Sequence, residues 1–421
     1  MKKNRQSGMA LVMALIFMVI CALIASSFFL FARNARQWSQ RDMNREQAFS
    51  LAESAIELSA QNLVTNSAIP SLGALVNVSG VSLGAGTYSY SIRSLTNVYQ
   101  YALDGTGTVN GVKRAVHIAR AEKPSFAAFA MWMNVNGVIY FFGGETFYGP
   151  VFSNDYLYFQ PTGSSGATFR DTVASVKSAA GSGSDMTGTT FSKGLQFNAS
   201  SQSMASVQFT NLLITAQANG LVITGATTIT LSGSNAIIRN LKKGWTNFSY
   251  GITNESIIYV TDASSTGAVQ IAGRLDGRLT VIADGSFQIT NNITYASDPR
   301  TNAASNDALG LVAGADITVM TNAPNGETIF AAMMATGLKS STGSFGAQNY
   351  DKRAASGNLT VWGSIVQNVR GAVNTGGGGT TRTGFAKNYG FDTRFSLTAP
   401  PYFPRLDSKI RYSGWTDEGV Q

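Results

Sequence analysis

The sequence predicts a mainly β protein that begins with one long helix. Charged residues make up only 13% of the 421, and there are 44 glycines, a composition that suits short strands joined by many turns. Residues 9–32 contain no charged side chain, which is long enough for a helix to cross a membrane. From about residue 206, short apolar strands recur at spacings of about ten residues or fewer. This cadence predicts an irregular right-handed parallel β-helix, with a β-sandwich as the alternative.

The apolar segment at 9–32 has three possible interpretations. A cleaved secretory signal has a shorter apolar core ending at small residues, but Phe28 to Phe31 follow Ala25 and keep this segment apolar. A lipoprotein signal needs a small residue before its cysteine, whereas Ile20 precedes Cys21. The remaining interpretation is a membrane anchor that stays in the mature protein.

The residues before this segment favour a specific kind of anchor. Lys2-Lys3-Asn4-Arg5-Gln6-Ser7-Gly8, followed by Met9-Ala10-Leu11-Val12, resembles the leader and cleavage junction of type IV pilins and pseudopilins. The resemblance implies that a prepilin peptidase cuts between Gly8 and Met9 and that the new N-terminus is methylated. Positive charge in the leader would stay on the cytoplasmic side, although Arg33, Arg36 and Arg41 flank the other end.

The resemblance continues beyond the membrane segment. Arg45 to Glu57 is similar to the second half of the long helix of minor pilins and pseudopilins, and apolar residues recur there at helical spacing. Major pilins carry a glutamate at the fifth mature position, where it neutralises the N-terminal amine of a neighbouring subunit. Here Met13 occupies that position. The absence of the glutamate resembles minor pseudopilins that lie at filament tips, which implies a tip component. The alternative that the protein never enters a filament also remains.

The chain is predicted to contain six segments. They are a leader peptide at 1–8, a transmembrane helix at 9–32, an amphipathic continuation at 33–63, a small pilin-like sheet at 64–122, a β-helix-like head at 123–404 and a C-terminal tail at 405–421. The head also resembles an uncharacterised β-rich bacterial domain, on motifs that include Gly149 to Asn154, Leu279 to Gly285, Leu359 to Ile365 and Pro400 to Pro404. No activity is established for that family.

The candidate polar sites are few, and we predict no catalytic residue, cofactor or metal. His117 is the one histidine, which leaves little scope for a nucleophile–base pair. An oxygen-rich loop with Asp298, Asn302, Asn306 and Asp307 is typical either of a Ca²⁺ site or of Asx turns. Parallel β-helices often carry polysaccharide-cleaving carboxylates, but the candidate aspartates here mostly adjoin Gly or Ala, which favours structural turns: Asp262, Asp276, Asp284 and Asp316. Scattered basic residues, at a net charge of +8, argue against nucleic-acid binding.

These inferences together predict a non-enzymatic envelope protein. We expect a minor pilin-like or pseudopilin-like component of a type IV pilus or type II secretion-like filament, with its head in the periplasm or at the cell surface. The expected partners are the lipid bilayer, a prepilin peptidase, other pilins through the N-terminal helix, and a surface ligand such as a glycan. The alternatives are a bitopic anchor for an adhesive or structural β-helix and, ranked lower, a polysaccharide-acting enzyme.

Overall fold

The computed structural model describes residues 7–65, 75–95, 99–204, 207–262, 268–339, 342–377, 380–406 and 410–419. The chain forms two compact units. The first comprises residues 1–95, 101–121 and 412–421, and the second comprises residues 96–100 and 122–411. The protein is mainly β, with a long apolar N-terminal helix, as the sequence predicts.

The first unit combines one helix with a five-stranded sheet. Helix α1 spans Ser7–Thr65, and the sheet order is β1-β2-β3-β4-β30. The strands are β1 (Leu75–Leu83), β2 (Gly86–Ser94), β3 (Gln100–Val109), β4 (Val112–Glu122) and β30 (Arg411–Asp417). Asn110 and Gly111 both have positive φ, which suits the two-residue turn between β3 and β4. The sequence prediction treated 405–421 only as a tail, whereas Arg411–Asp417 is the edge strand of this sheet.

The second unit is built mainly from parallel strands. One sheet, here called the first sheet, has the order β14-β18-β20-β22-β24-β26-β5-β8-β11-β13, with parallel pairing throughout. Its strands are β5 (Met131–Val135), β8 (Val151–Ser153), β11 (Val173–Ser175), β13 (Leu195–Gln196), β14 (Leu221–Thr224), β18 (Ser256–Thr261), β20 (Arg278–Ala283), β22 (Ala308–Ala313), β24 (Thr328–Ala335) and β26 (Asn358–Val369).

A second sheet has the strand order β15-β19-β21-β23-β25, and its strands also pair in parallel. The antiparallel strands β16 and β17 extend it from β15. The bounds are β15 (Thr227–Gly233), β16 (Asn235–Asn240), β17 (Trp245–Gly251), β19 (Val269–Leu275), β21 (Phe287–Tyr295), β23 (Ile317–Val319) and β25 (Phe345–Ala347). We call the first and second sheets together the parallel array.

Shorter elements complete the second unit. Strands β7 (Thr146–Phe147), β10 (Thr168–Phe169) and β12 (Thr190–Phe191) form a three-stranded parallel sheet, and β6 (Tyr140–Phe142) pairs with β9 (Tyr158–Gln160). Strand β29 (Ala386–Phe391) pairs with β26, and β27 (Asn374–Gly377) pairs with β28 (Thr380–Gly384). Helix α2 spans Phe209–Asn219, and short 3₁₀ helices cover Phe126–Ala128, Leu241–Lys243 and Thr393–Ser396.

The chain enters the first sheet in its middle. Strand β5 pairs with β26, which lies more than two hundred residues later, while β8, β11 and β13 continue the sheet away from that junction. After β13 the chain passes through α2 and starts again at β14, at the opposite end of the strand order. Two stretches of chain are therefore stacked on each other at β5 and β26 without a direct covalent connection.

A sequence repeat underlies the strands that follow β5. The pattern Gly-x-Thr-Phe begins at Gly144, Gly166 and Gly188, so it repeats every 22 residues. The three phenylalanines stack on one another, with Phe147 and Phe169 5.1 Å apart and Phe169 and Phe191 5.3 Å apart between ring centroids. A Cβ on Gly166 would lie 2.2 Å from the backbone nitrogen of Thr189, so only glycine permits this approach of neighbouring strands.

The first sheet is buried on both faces. One face points into the main apolar core with residues such as Val281 and Leu311. The other face carries residues such as Tyr259 and Val312, and it is covered by α2, the 3₁₀ turn at Phe126–Ala128 and the segment 395–406. Burial on both faces explains the continuous apolar runs of these strands, which do not alternate with polar residues.

Candidate membrane-spanning and assembly helix

The first half of α1 exposes apolar side chains on every face. Residues 9–43 are all exposed, and Leu11, Phe17 and Phe29 each expose about 70% of their surface. Such an all-round apolar surface is unfavourable in water but matches the interior of a bilayer. Among the described residues, one helix is long and apolar enough to cross a membrane, over Met9–Val64.

The apolar stretch ends at a group of basic and aromatic side chains. Arg33, Arg36 and Arg41 follow it on α1, and Trp38 is 72% exposed between them. The structure gives these three arginines no ion pair or side-chain hydrogen bond within the described ranges. Tryptophan and arginine are the side chains that favour the boundary between acyl chains and headgroups. This group therefore marks where the span would leave the membrane.

The second half of α1 buries one face against the sheet of its own unit. The buried positions recur every three or four residues: Asn44, Ala48, Leu51, Ala52, Ala55, Ile56, Ser59, Ala60 and Leu63. This 3.6-residue period places them on one side of the helix, and the exposed residues between them are mainly polar. The predicted amphipathic continuation at 33–63 therefore acts as a packing surface from Asn44 onward.

Small residues bring the helix and the sheet unusually close. A Cβ on Gly107 would lie 2.0 Å from the Ala48 carbonyl oxygen, and a Cβ on Gly105 would lie 2.6 Å from the Ala52 carbonyl oxygen. Because the obstacles are helix backbone atoms, no side chain can move aside to make room. Glycine on β3 facing alanine on α1 thus fixes the distance between the two elements.

The end of the chain also packs on this helix. The Trp415 ring meets Phe49 edge-on at 6.4 Å, and the Arg114 guanidinium lies 5.3 Å from the centre of the Phe49 ring. Arg114 also pairs with Asp417 of β30. The last strand therefore ties the sheet edge to the second half of α1. The sequence did not reveal this contact because both pairs of residues are more than 300 positions apart.

The predicted processing residues lie at the start of α1. Ser7, Gly8 and Met9 are helical, and Met9 is 73% exposed, while residues 1–6 of the predicted leader fall outside the described residues. Cleavage after Gly8 remains a prediction. Met13, at the position where major pilins have glutamate, is 67% exposed on the apolar surface.

His117 has a partner that the sequence did not identify. Its Nδ1 lies 2.6 Å from Asp104 Oδ1, and the Ser91 hydroxyl donates to the other oxygen of Asp104 at 2.9 Å. Nucleophilic catalysis would need the serine to contact the histidine, and here the carboxylate stands between them. The group is suited to linking β2, β3 and β4 of the small sheet.

The oxygen-rich loop uses its side chains to bind its own backbone. Asp298 accepts from the Arg300 backbone and guanidinium, and Asp307 accepts from the Gly277 and Ser297 amides at 2.7 and 2.9 Å. Asn302 caps Ala304 in the same way. The Arg300 contact lowers the pKa of Asp298, consistent with a paired carboxylate. These contacts favour the Asx-turn interpretation over a Ca²⁺ site.

The other predicted polar residues are dispersed. Asp284 accepts from the Tyr259 hydroxyl at 2.6 Å, Asp316 caps the turn at 342–344, and Asp262 faces Lys242. Within the described ranges, no three His, Cys, Asp or Glu side chains are placed to share a metal ion. The aspartates therefore do not converge on a common site.

Buried charges in the second unit were missed by sequence reasoning. Glu327 is fully buried, neither of its carboxylate oxygens has a hydrogen-bond partner among the described residues, and burial raises its pKa to about 7. Lys387 pairs with Glu145 at 3.0 Å, and Arg370 is buried nearby. A single charged residue within a strand pattern looks the same in the sequence whether it is buried or exposed. The burial of these charges is therefore seen only in the three-dimensional structure.

Comparison with known proteins yields little. No family model and no curated protein matches the sequence. Among solved structures, the chain is similar to the competence-associated pilin ComZ from Thermus thermophilus, with 13% identity, a TM-score of 0.36, and coverage of 90% of this chain and 98% of that one. At this TM-score the likeness carries no argument, and the functional case depends on the residues of α1 and its sheet.

Proposed function

We propose that the chain is a minor pilin-like or pseudopilin-like subunit that is anchored in the inner membrane and carries its β units outside the cytoplasm. The observation that carries the proposal is α1: one uninterrupted helix with an all-round apolar first half and a second half packed on a small antiparallel sheet. The first half suits lipid or the helices of other subunits. Because helix–helix contacts in a filament would use this same surface, other pilins are the expected protein partners.

The proposed role is structural rather than enzymatic. The parallel pairing of strands from successive coils, such as Leu279 with Leu309 and Ile329 with Val361, supports a parallel β-helix for the head. We propose the right-handed sense that parallel crossovers favour. The antiparallel β-sandwich is disfavoured because its strands would pair in the opposite direction. Stacked strands of this kind form a rigid body that is suited to display at a surface or filament tip.

A plain bitopic anchor is the second candidate, and Met13 is the observation that favours it. Without a glutamate at this position, the chain lacks the group that would neutralise the N-terminal amine of a neighbouring subunit when it is added beneath that subunit. A subunit at the tip, with nothing above it, avoids that requirement. Processing at Gly8 separates the two candidates, since the anchor needs no peptidase.

The test is the mass of the mature N-terminus. Mass spectrometry of the protein purified from membranes should find a chain that begins at N-methylated Met9. In the Gly8→Val variant the added side chain should block the peptidase and leave the full-length chain, whereas Gly419→Val, in open space, should be processed normally. An unmodified Met1 start in the wild-type protein would favour the plain anchor and refute the pilin-like assignment.

A further inference from the structure

A polar cavity of about 230 Å³ lies between β7 and β29 in the second unit. Residues 144–148 form one side of the cavity, and residues 387–389 form the other. The lining residues include the polar Thr146, Asn388 and Lys387 and the aromatic Tyr148 and Tyr389. Tyr148 is 56% exposed, so its ring is available to a ligand.

The charges do not balance when Glu145 and Lys387, which line this cavity, are counted together with Arg370, which is buried nearby but does not line it. Lys387 Nζ lies 3.0 Å from Glu145 Oε1, and both side chains are more than four-fifths buried. Arg370 is 5% exposed, and its Nη1 donates to the Asn136 amide oxygen and the Ile139 carbonyl. Its Nη2 is buried without a hydrogen-bond partner in the described part of the chain. Two cations therefore accompany one carboxylate, which leaves an excess of one positive charge.

The positive charge of Arg370 acts on Lys387, which lines the cavity. Burial lowers the pKa of Lys387, and the neighbouring positive charge of Arg370 lowers it further, against the opposing effect of Glu145. Buried charges are unfavourable unless they are paired. Glu145 pairs with Lys387, and its other oxygen accepts from the Phe142 amide, so among the described residues it forms no ion pair with Arg370. A bound anion with a single negative charge would complete the pairing.

The geometry points to a hexuronate residue, a sugar ring that bears one carboxylate, as the ligand of this cavity. The ring would lie on the outer face against Tyr148, near Thr146 and the exposed Asn388, whose amide nitrogen donates to Thr360. The carboxylate would reach Lys387, on the inner face, through the gap between β7 and β29. The volume is below the range of about 300–1,000 Å³ typical of sites for drug-sized molecules, which suits a single sugar ring. The inference goes beyond the proposed anchoring role, and its test does not depend on processing at Gly8.

The test measures sugar binding to the full chain in detergent micelles by calorimetry and ligand-observed NMR. Galacturonate should bind, and galactose, which lacks the carboxylate, should bind at least tenfold more weakly. Lys387→Met should abolish galacturonate binding, whereas Lys352→Met, at an exposed lysine, should leave it unchanged. Equal binding of galactose, or full binding by Lys387→Met, would overturn the proposal.

A second variant separates binding from folding. Glu145→Gln removes the competing carboxylate and should tighten galacturonate binding about tenfold, even if Lys387→Met fails to fold. A purely structural Glu145–Lys387 pair predicts no such gain, so unchanged or weaker binding by Glu145→Gln contradicts the inference. Comparison of free galacturonate with polygalacturonate identifies the source of the sugar: tighter binding of the polymer supports a surface polysaccharide, equal binding per residue supports the free sugar, and no binding of either overturns the site.

Discussion

Two stretches of this chain are similarly apolar and opposite in exposure. In α1, Leu15 and Phe17 expose 55% and 68% of their surfaces, whereas Val281 and Leu311 in the first sheet are fully buried. Strands of the first sheet are covered on both faces by other parts of the second unit, so their apolar surface is removed from water within the chain. The first half of α1 has no such cover, and its apolar surface needs lipid or another helix. Composition alone therefore does not tell a core from an anchor.

The largest expected effect comes from removing apolar volume inside the array. Leu311→Ala should lower the free energy of unfolding of the second unit by about 2–5 kcal/mol, because it deletes buried methyl groups and leaves a cavity. Denaturant titration followed by circular dichroism in detergent measures the change. Leu15→Ala and Leu241→Ala, both at exposed positions, should stay within about 0.5 kcal/mol. A similar loss for Leu15→Ala would contradict the distinction between the two stretches.

The next effect concerns the membrane. Leu15→Arg places a charge inside the span, between its start and its middle, and should oppose insertion by up to the cost at a helix centre, about 2.5–3.5 kcal/mol. The fraction of the protein that resists carbonate extraction from membranes should fall, while the matched Leu241→Arg variant should remain in the membrane fraction. If Leu15→Arg were as firmly held as the wild-type chain, residues 9–32 would not cross the bilayer core.

A smaller effect depends on pH and arises from Glu327, whose carboxyl interrupts the buried array. Its pKa is raised to about 7 from 4.5, so the folded chain holds a proton that the unfolded chain releases as the pH rises between these values. Stability should therefore fall from pH 4.5 to pH 7 by up to about 3 kcal/mol and then level off. Denaturant titrations at several pH values measure this slope.

The matched variants make the pH dependence specific. Glu327→Gln has no titratable group at this position, so its stability should lack the decline between pH 4.5 and pH 7. Glu418→Gln, at an exposed carboxylate in the first unit, should keep the decline. A slope that survives Glu327→Gln would assign the titration to another group.

Local patterns in the sequence predicted much of this fold. The absence of charge at 9–32 and the helical spacing of apolar residues after Arg45 predicted the long helix. An Asn-Gly pair such as Asn110-Gly111 is typical of a two-residue hairpin turn, and the structure has that turn between β3 and β4 with both residues at positive φ. Such features depend only on residues that are close together in the sequence, so they can be predicted from the sequence alone.

Features that depend on distant residues were not predictable. The pairing of β5 with β26 joins Met131 to Ile365, and nothing local specifies it. The sequence does contain the Gly-x-Thr-Phe repeat, but Gly, Ser and Thr dominate residues 160–205, a composition that is typical of loops. The charges of Glu145, Arg370 and Lys387 meet only after the two stretches of chain have stacked. The candidate sugar site was therefore missed.

Thiol labelling tests the central claim most directly. Cys21 is the one cysteine of the chain, so a Cys21→Ala background allows a single reporter, Ser232→Cys, at an exposed position of the second unit. If α1 spans the inner membrane with the β units outside the cytoplasm, a membrane-impermeant maleimide should label the reporter in intact spheroplasts as fully as in lysed ones. Labelling that appears only after lysis would place the β units in the cytoplasm and contradict the account.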